Sequence, residues 1–272
     1  MSIERLAALE RKSPQWQSWT AVLRILAQSI SDRDWRNPVV EPKAFSKDRP
    51  LLDGQHVCVS AAALAGLVQR LIEATADEPQ VAPNRLHAEL LLPFLHESIT
   101  GATDGIETDR FGTLINAACS PLLAACADQL AQQIPPLWPH GWCPVCGAWP
   151  VIAELIGLDR SRSLRCGRCG TGWNTSPLTC SFCGQADHAQ LGALVASVAG
   201  AGEQAQRVDT CRTCNGYLKS IAVLTSGSFL DVMLADLESV ALDLAARDEG
   251  FIRPDRTGHA IRVTLSLSSA SR

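Results

Sequence analysis

Four short segments of one design constrain this chain more than anything else in it. They are Cys143-Pro144-Val145-Cys146-Gly147, Cys166-Gly167-Arg168-Cys169-Gly170, Cys180-Ser181-Phe182-Cys183-Gly184 and Cys211-Arg212-Thr213-Cys214-Asn215, and they hold eight of the eleven cysteines. In each segment two thiols three residues apart converge on one point. The small residue after the second cysteine lets the backbone turn its N–H groups toward the sulfurs. Two such turns facing each other make a tetrahedral thiolate cage, which zinc and iron both accept because deprotonated cysteine is the soft ligand they prefer.

The compartment decides between metal and disulfide. The N-terminus places Glu4 and Glu10 where an export signal would need an apolar stretch, which predicts a cytoplasmic chain. The weakly polar run Leu191 to Gly202 is too short to span a bilayer, so no stable membrane insertion is expected. Thiols in a reducing cytoplasm stay reduced, and a dense cysteine pattern there points to metal or redox chemistry.

Pairing follows from the intervals. Residues 147–165 and 184–210 separate the knuckles by 19 and 27 residues, and each interval can hold a hairpin. An interleaved cross-brace would close loops of 33 and 41 residues. Doubling a loop costs only about 0.6 kcal/mol, so entropy barely discriminates. The hairpins do, because each brings its own two knuckles together. Site one is therefore expected at Cys143, Cys146, Cys166 and Cys169, and site two at Cys180, Cys183, Cys211 and Cys214, each holding one ion, iron or zinc.

The hairpins are read from β-favouring runs. In the first interval these are Val151 to Ile156, a turn at Gly157-Leu158-Asp159 and a return strand at Ser163 to Arg165. In the second they are His188 to Val198, a turn at Ala199 to Gly202 and a return at Gln204 to Asp209. Tyr217 to Leu224 reads as a further strand. Asp231 to Asp248 reads as one acidic-capped helix with Leu234, Leu237, Ala241 and Leu244 on one face, ended by Gly250. The final SLSSASR reads as a frayed tail.

Ahead of the knuckles the pattern is helical. Ser13-Pro14 starts a helix bearing Trp16, Trp19, Leu23, Leu26 and Ile30. Ser60 opens another with Leu64, Leu67, Val68, Leu71 and Ile72. Asn84 precedes a third with Leu86, Leu90, Leu91, Phe94 and Leu95, and a fourth from about Glu107 to Ile134 should be kinked or divided at Pro121. Asn37 to Gly54 reads as a long connection. Cys58, Cys119 and Cys126 read as small core residues, and His87, His96 and His188 have no partner at ligand spacing. The proline-rich stretch Pro135 to Gly141 marks a boundary. The chain is thus expected to be α+β: an N-terminal α-helical bundle over 1–134, metal ribbons over 135–178 and 179–228, and a C-terminal helix and tail over 229–272. With 46% apolar residues it has material for a core without disulfides.

Function classes narrow from there. The net charge of −4 disfavours broad attraction to nucleic acid or anionic membranes. Between Cys143 and Thr225 seven cations face five anions, and two tetrathiolates would turn that +2 into about −2, against a nucleic-acid-binding zinc ribbon. No nucleotide loop, nucleophile elbow or zincin motif occurs. A closed cage of four thiolates leaves no open position for substrate, so its bland role is to staple small β modules. Rubredoxin-type electron transfer and thiol-redox chemistry are the alternatives, the latter lacking the βαβ context of a thioredoxin motif.

The stretches CPVCGAWPV at 143, RSLRCGRCGTGW at 162, LTCSFCG and VDTCRTCNGYLKSI at 208, followed by DVMLADLESVALDLAARDEGF, resemble the formate dehydrogenase accessory proteins of the FdhE family. The resemblance spans about Trp142 to Phe251. Where the family has an acidic residue before tryptophan, this chain has Gly172-Trp173. The resemblance implies a helical N-terminal domain joined to tandem rubredoxin-like modules, in a cytoplasmic, non-enzymatic factor that binds the formate dehydrogenase catalytic subunit. It implies iron or zinc at the eight knuckle cysteines and is compatible with a homodimer.

Overall fold

The computed structural model describes residues 2–12, 14–43, 48–75, 86–101, 110–176, 178–195, 206–254 and 257–268. Its contacts divide the chain into two compact units, Met1–Gln133 with Ala260–Arg272, and Ile134–His259.

The first unit is built on helices α1 (Ser2–Lys12), α2 (Gln17–Ile30), α3 (Ala61–Thr75), α4 (Ala88–Thr100) and α5 (Arg110–Leu130). Leu26, Leu64, Leu67, Leu71, Leu95 and Leu122 are fully buried and form its core. The face expected for α3 is the buried one except at half-buried Ile72, but Trp19, Leu90 and Phe94, expected inside, are exposed. Packing turns the buried stripe of α2 toward Val22 and Leu23 and that of α4 toward Leu91 and Leu95, whereas α5 is buried on all sides from Ala118 to Ala124. Pro121 does not divide α5, although it removes one helical hydrogen bond. The Leu122 and Leu123 side chains beside it are buried, and that packing outweighs the lost bond. From Arg110 to Gln133 the chain is long and apolar enough to cross a membrane by length and composition, and 67% of that window is buried within the protein. The starts expected at Ser13, Asn84 and Glu107 lie outside the described residues.

The first unit is not purely helical. Strand β1 (Val39–Val40) pairs antiparallel with β2 (His56–Ser60), inside and next to the expected long connection. Ser266 to Ser268 of the tail expected to fray belong to a third strand, Thr264–Ser268, which runs parallel to β2 with Val57 opposite Leu265 and Val59 opposite Leu267. The edge of β2 carries unpaired backbone groups, and the C-terminal segment satisfies them. Asp53 anchors the approach by accepting from the Arg262 N–H at 2.9 Å. Residues 269–272 lie outside the described ones.

The second unit carries β3 (Pro150–Ile156), β4 (Ser161–Cys166), β5 (Gly172–Asn174), β6 (Leu191–Val195), β7 (Gln206–Cys211) and β8 (Tyr217–Val223), so the tail strand is β9. The hairpins β3–β4 and β6–β7 are both present, with the turn expected at Ala199 to Gly202 outside the described residues. Their modules are not separate. Strands β3 and β8 pair in parallel, Ile152 opposite Lys219 through Ile156 opposite Val223, giving one six-stranded sheet in the order β5-β4-β3-β8-β7-β6.

The expected C-terminal helix is two helices, α6 (Phe229–Glu238) and α7 (Val240–Asp248). The break is Ser239, whose hydroxyl donates to the Ala235 carbonyl at 2.5 Å and competes with the helical pattern. Ser228 and Asp231 form a capping box at the start of α6. The two helices cover the seam: Val232 and Ala235 pack with Ile152, and Leu242 and Ala246 pack with Val208 and Tyr217.

Candidate metal centres

All four knuckles share one closing hydrogen bond, and three of them share a second. Cys143, Cys166, Cys180 and Cys211 donate their N–H to the carbonyls of Ala148, Thr171, Gln185 and Gly216, at 2.8 to 2.9 Å. Gly147, Gly170 and Gly184 donate back to the first cysteine's carbonyl at 3.0 to 3.1 Å, each with φ between 73° and 77°. Asn215 occupies the equivalent left-handed position at φ 53°, which asparagine tolerates better than most residues with a Cβ. The N–H groups of Val145, Arg168 and Phe182 point at the sulfurs of Cys143, Cys166 and Cys180, each at 3.4 Å.

The structure brings the eight sulfurs into two groups of four: Cys143, Cys146, Cys166 and Cys169, and Cys180, Cys183, Cys211 and Cys214. Within each group every sulfur lies within 4.8 Å of the others. Cross-knuckle separations are 3.5 Å for Cys143–Cys169 and Cys146–Cys166, and 3.7 Å for Cys180–Cys214 and Cys183–Cys211. A tetrahedral ion with bonds of about 2.3 Å holds its sulfurs about 3.8 Å apart. Donor set and spacing both fit a tetrathiolate, so these groups could each hold a metal ion.

Proton affinities within the cages are uneven. Burial pushes the Cys143 and Cys169 thiols well up. Burial would raise Cys166 too, but hydrogen bonds from Cys143, Cys146 and Cys169 outweigh it and pull that thiol well down. In the second group burial raises Cys180 and Cys214. Cys211 is lowered to about 7, because the N–H groups of Cys214 and Thr213 and the neighbouring thiols outweigh burial. A divalent ion supplies the charge that lets all four thiols of a group ionise.

Close contacts lock the groups into the sheet. A Cβ at Gly141 would fall 1.6 Å from the Ser181 carbonyl oxygen, so glycine alone lets the segment before the first knuckle lie on the third. Trp149 meets Phe182 edge to face at 5.4 Å. At Gly170 a Cβ would strike Phe229 of α6 at 2.8 Å. His259 donates its N–H to Gly147 at 2.9 Å. Cys119 and Cys126 are buried in the first unit and belong to neither group, and Cys58 is half-buried on β2. His96 contacts the Val263 carbonyl at 2.9 Å.

Sequence reasoning missed two buried ionic networks that set the shape around these groups. Glu154 accepts from Arg165 and Ser226, both at 2.7 Å, and from the Gly227 N–H at 3.0 Å. A Cβ at Gly172 would sit 3.2 Å from Arg165 Cδ. Lys219, fully buried on β8, lies 2.7 Å from both Asp236 and Asp243, which Arg253 also pairs at 3.0 and 2.7 Å. Tyr217 donates to Asp243 at 2.9 Å, and burial with that bond raises its pKa to about 12. The available signal was Asp236 and Asp243 seven residues apart, two turns along one helical face.

Residues 178–257 match the model of the FdhE C-terminal domain. Two relatives described as "Protein FdhE homolog" are similar to the chain. The one from Aquifex aeolicus (strain VF5) is 30% identical over 156 residues, 56% of this chain and 53% of that protein. The one from Shewanella baltica (strain OS223) is 34% identical over 137 residues, 48% of this chain and 41% of that protein. The matches thus span about half the length of these relatives. The crystal structure of the FdhE protein from Pseudomonas aeruginosa superposes with a TM-score of 0.61 at 20% identity, covering 92% of this chain and 91% of that one. That likeness is one of fold. The chain is thus similar to FdhE proteins through its cysteine-rich half, and over nearly all its length it shares the fold of the Pseudomonas aeruginosa FdhE protein.

Proposed function

We propose that this chain is a maturation factor for formate dehydrogenase that binds the enzyme's catalytic subunit in the cytoplasm. The docking platform is the second unit, stapled by two ions of iron or zinc. The observation that carries this reading is the pair of four-cysteine groups, the second of them within the residues that match the FdhE C-terminal domain. Eight sulfurs in two closed shells leave no coordination position for a substrate, which favours a structural role over turnover. Two small hairpin modules gain from such ions a rigidity that their thin core does not supply. Binding is assigned to Cys143, Cys146, Cys166 and Cys169 at one site and Cys180, Cys183, Cys211 and Cys214 at the other.

Co-purification tests this directly. The full chain should capture a formate dehydrogenase catalytic subunit, and cells lacking the chain should lose formate dehydrogenase activity. Cys143→Ala or Cys211→Ala should lose metal and capture together. Capture by a folded, metal-free variant would refute the role given to the ions, and neither capture nor an activity defect would remove the assignment.

The exposure of Cys183 favours one second reading, in which iron at site two exchanges electrons with a donor. A reversible colour change on reduction of the iron-loaded chain would support it, and a colourless zinc-loaded protein in the producing cell would exclude it.

A further inference from the structure

Arg162 belongs to β4 in the first module, yet its guanidinium ends at the third knuckle. Its side chain is only 7% exposed. Nη2 donates to the Ser181 hydroxyl at 3.0 Å, between Cys180 and Cys183. Asp209 Oδ2 stands 3.8 Å away, and that carboxylate already takes Ser220 at 2.6 Å and Arg207 at 2.8 Å. Among the described residues, the buried Nε and Nη1 atoms of Arg162 have no hydrogen-bond partner. Arg165, three positions along the same strand, differs in having Glu154 as a close ionic partner at 2.7 Å.

A guanidinium with two buried N–H groups lacking acceptors and its nearest carboxylate 3.8 Å away is only partly compensated, and further negative charge beside it would be stabilising. Arg162 lines a cavity of about 340 Å³ whose wall includes Cys180 and Cys211. Burial lowers the Arg162 pKa, Asp209 opposes that most strongly, and the nearby Cys180 sulfur acts in the same direction as Asp209. An ion with four thiolates has a net charge of −2, which is the charge the site lacks. A free anion in the cavity would instead be repelled by Asp209 and by that loaded cage.

We infer that Arg162 is a positioning residue for the metal at site two, its buried guanidinium balancing the thiolate charge there so that loading of the second cage depends on the first module. This rests on the metal reading above. The linkage works through charge and desolvation: the thiolates stabilise the cation, and the cation favours the ionised thiols.

Cobalt titration of the full chain, starting metal-free under reducing conditions, tests it. The thiolate-to-cobalt charge-transfer band follows loading, and the amide signals of Gly147 and Gly170 against Gly184 and Asn215 report which cage fills. Arg162→Met is expected to weaken cobalt at site two by about tenfold or more, with site one unchanged within about twofold, and to shift the site-two band. Arg162→Lys, which keeps the charge, should stay within about threefold of the unaltered chain. An unchanged site two in Arg162→Met, equal losses at both cages, or Arg162→Lys as weak as Arg162→Met would each overturn the inference. If Arg162→Met does not fold, Arg162→Lys alone decides: a tenfold loss (about 1.4 kcal/mol) overturns it. An unaltered chain that takes no cobalt would sink the metal reading and this inference together, whereas cobalt at both sites with no effect of Arg162 sinks this inference alone.

Discussion

The two cages share one local design and differ in what surrounds them. All four cysteines of site one are buried, whereas in site two Cys211 is buried, Cys180 and Cys214 are half-buried and Cys183 is exposed. The first knuckle lies under His259, and the second under Phe229 of α6. At the third knuckle, a Cβ on Gly184 would meet nothing within 4 Å. Site two also stands at the β6 end of the sheet, where Gly192, Ala193 and Val195 face solvent. Local sequence thus sets how sulfur is presented, while position in the sheet sets how fast water and competing ligands reach it.

The largest test of that contrast is to break each cage in turn. Cys146→Ser should abolish ordering of the first module and the strands built on it, because apparent binding energies of structural zinc are on the order of 10 kcal/mol. Cys183→Ser, at the rim, should leave the β3–β4 hairpin folded. Thermal melting with metal analysis of each variant measures both, and equal damage would erase the distinction. Next in size is chelator challenge of the zinc-loaded chain. Site two should release its ion at least about tenfold faster than site one, and simultaneous release would show that burial does not govern exchange.

A smaller effect is expected from Lys219→Met, which leaves Asp236 and Asp243 with Arg253 alone. Breaking a buried pair costs about 3–5 kcal/mol, read as a fall in denaturation midpoint, and a neutral result would show that the network does not support the second module. The smallest effect is on acid stability. Burial alone would raise the Asp236 carboxyl, but the charges of Arg253 and Lys219 outweigh it and hold the pKa below 3.8. The folded value is the depressed one, so this contribution is complete above the ordinary carboxylate pKa and is lost as pH falls through the folded value. Asp236→Asn should therefore be less stable than the unaltered chain near neutrality, with the gap closing below about pH 3.8. A gap that stays constant would rule out this linkage.

Much of the local structure was legible. Spacing and a following glycine predict the knuckles, and the short β-favouring runs predict the hairpins that pair them in chain order. The helices α3 and α5 follow from apolar periodicity. Other features left no local signature. The parallel contact of β3 with β8 joins residues more than sixty positions apart, and nothing in either run names its neighbour. The last seven residues read as a tail because most of them are small and polar, yet Ser266 to Ser268 pair with β2. Arg162 and Lys219 entered only as two of seven cations, because nothing in the local sequence marks a long cationic side chain as buried.

By itself the sequence determined the four knuckles, since a tight turn needs only a few neighbouring φ/ψ angles and a residue that tolerates φ above zero. It also determined which hairpin could bring which knuckles together. Only the tertiary structure decided that the modules share a sheet, that Arg162 reaches site two, and that one cage is enclosed while the other meets solvent. Burial and desolvation arise from segments far apart in the chain, and their energies exist only once those segments have packed.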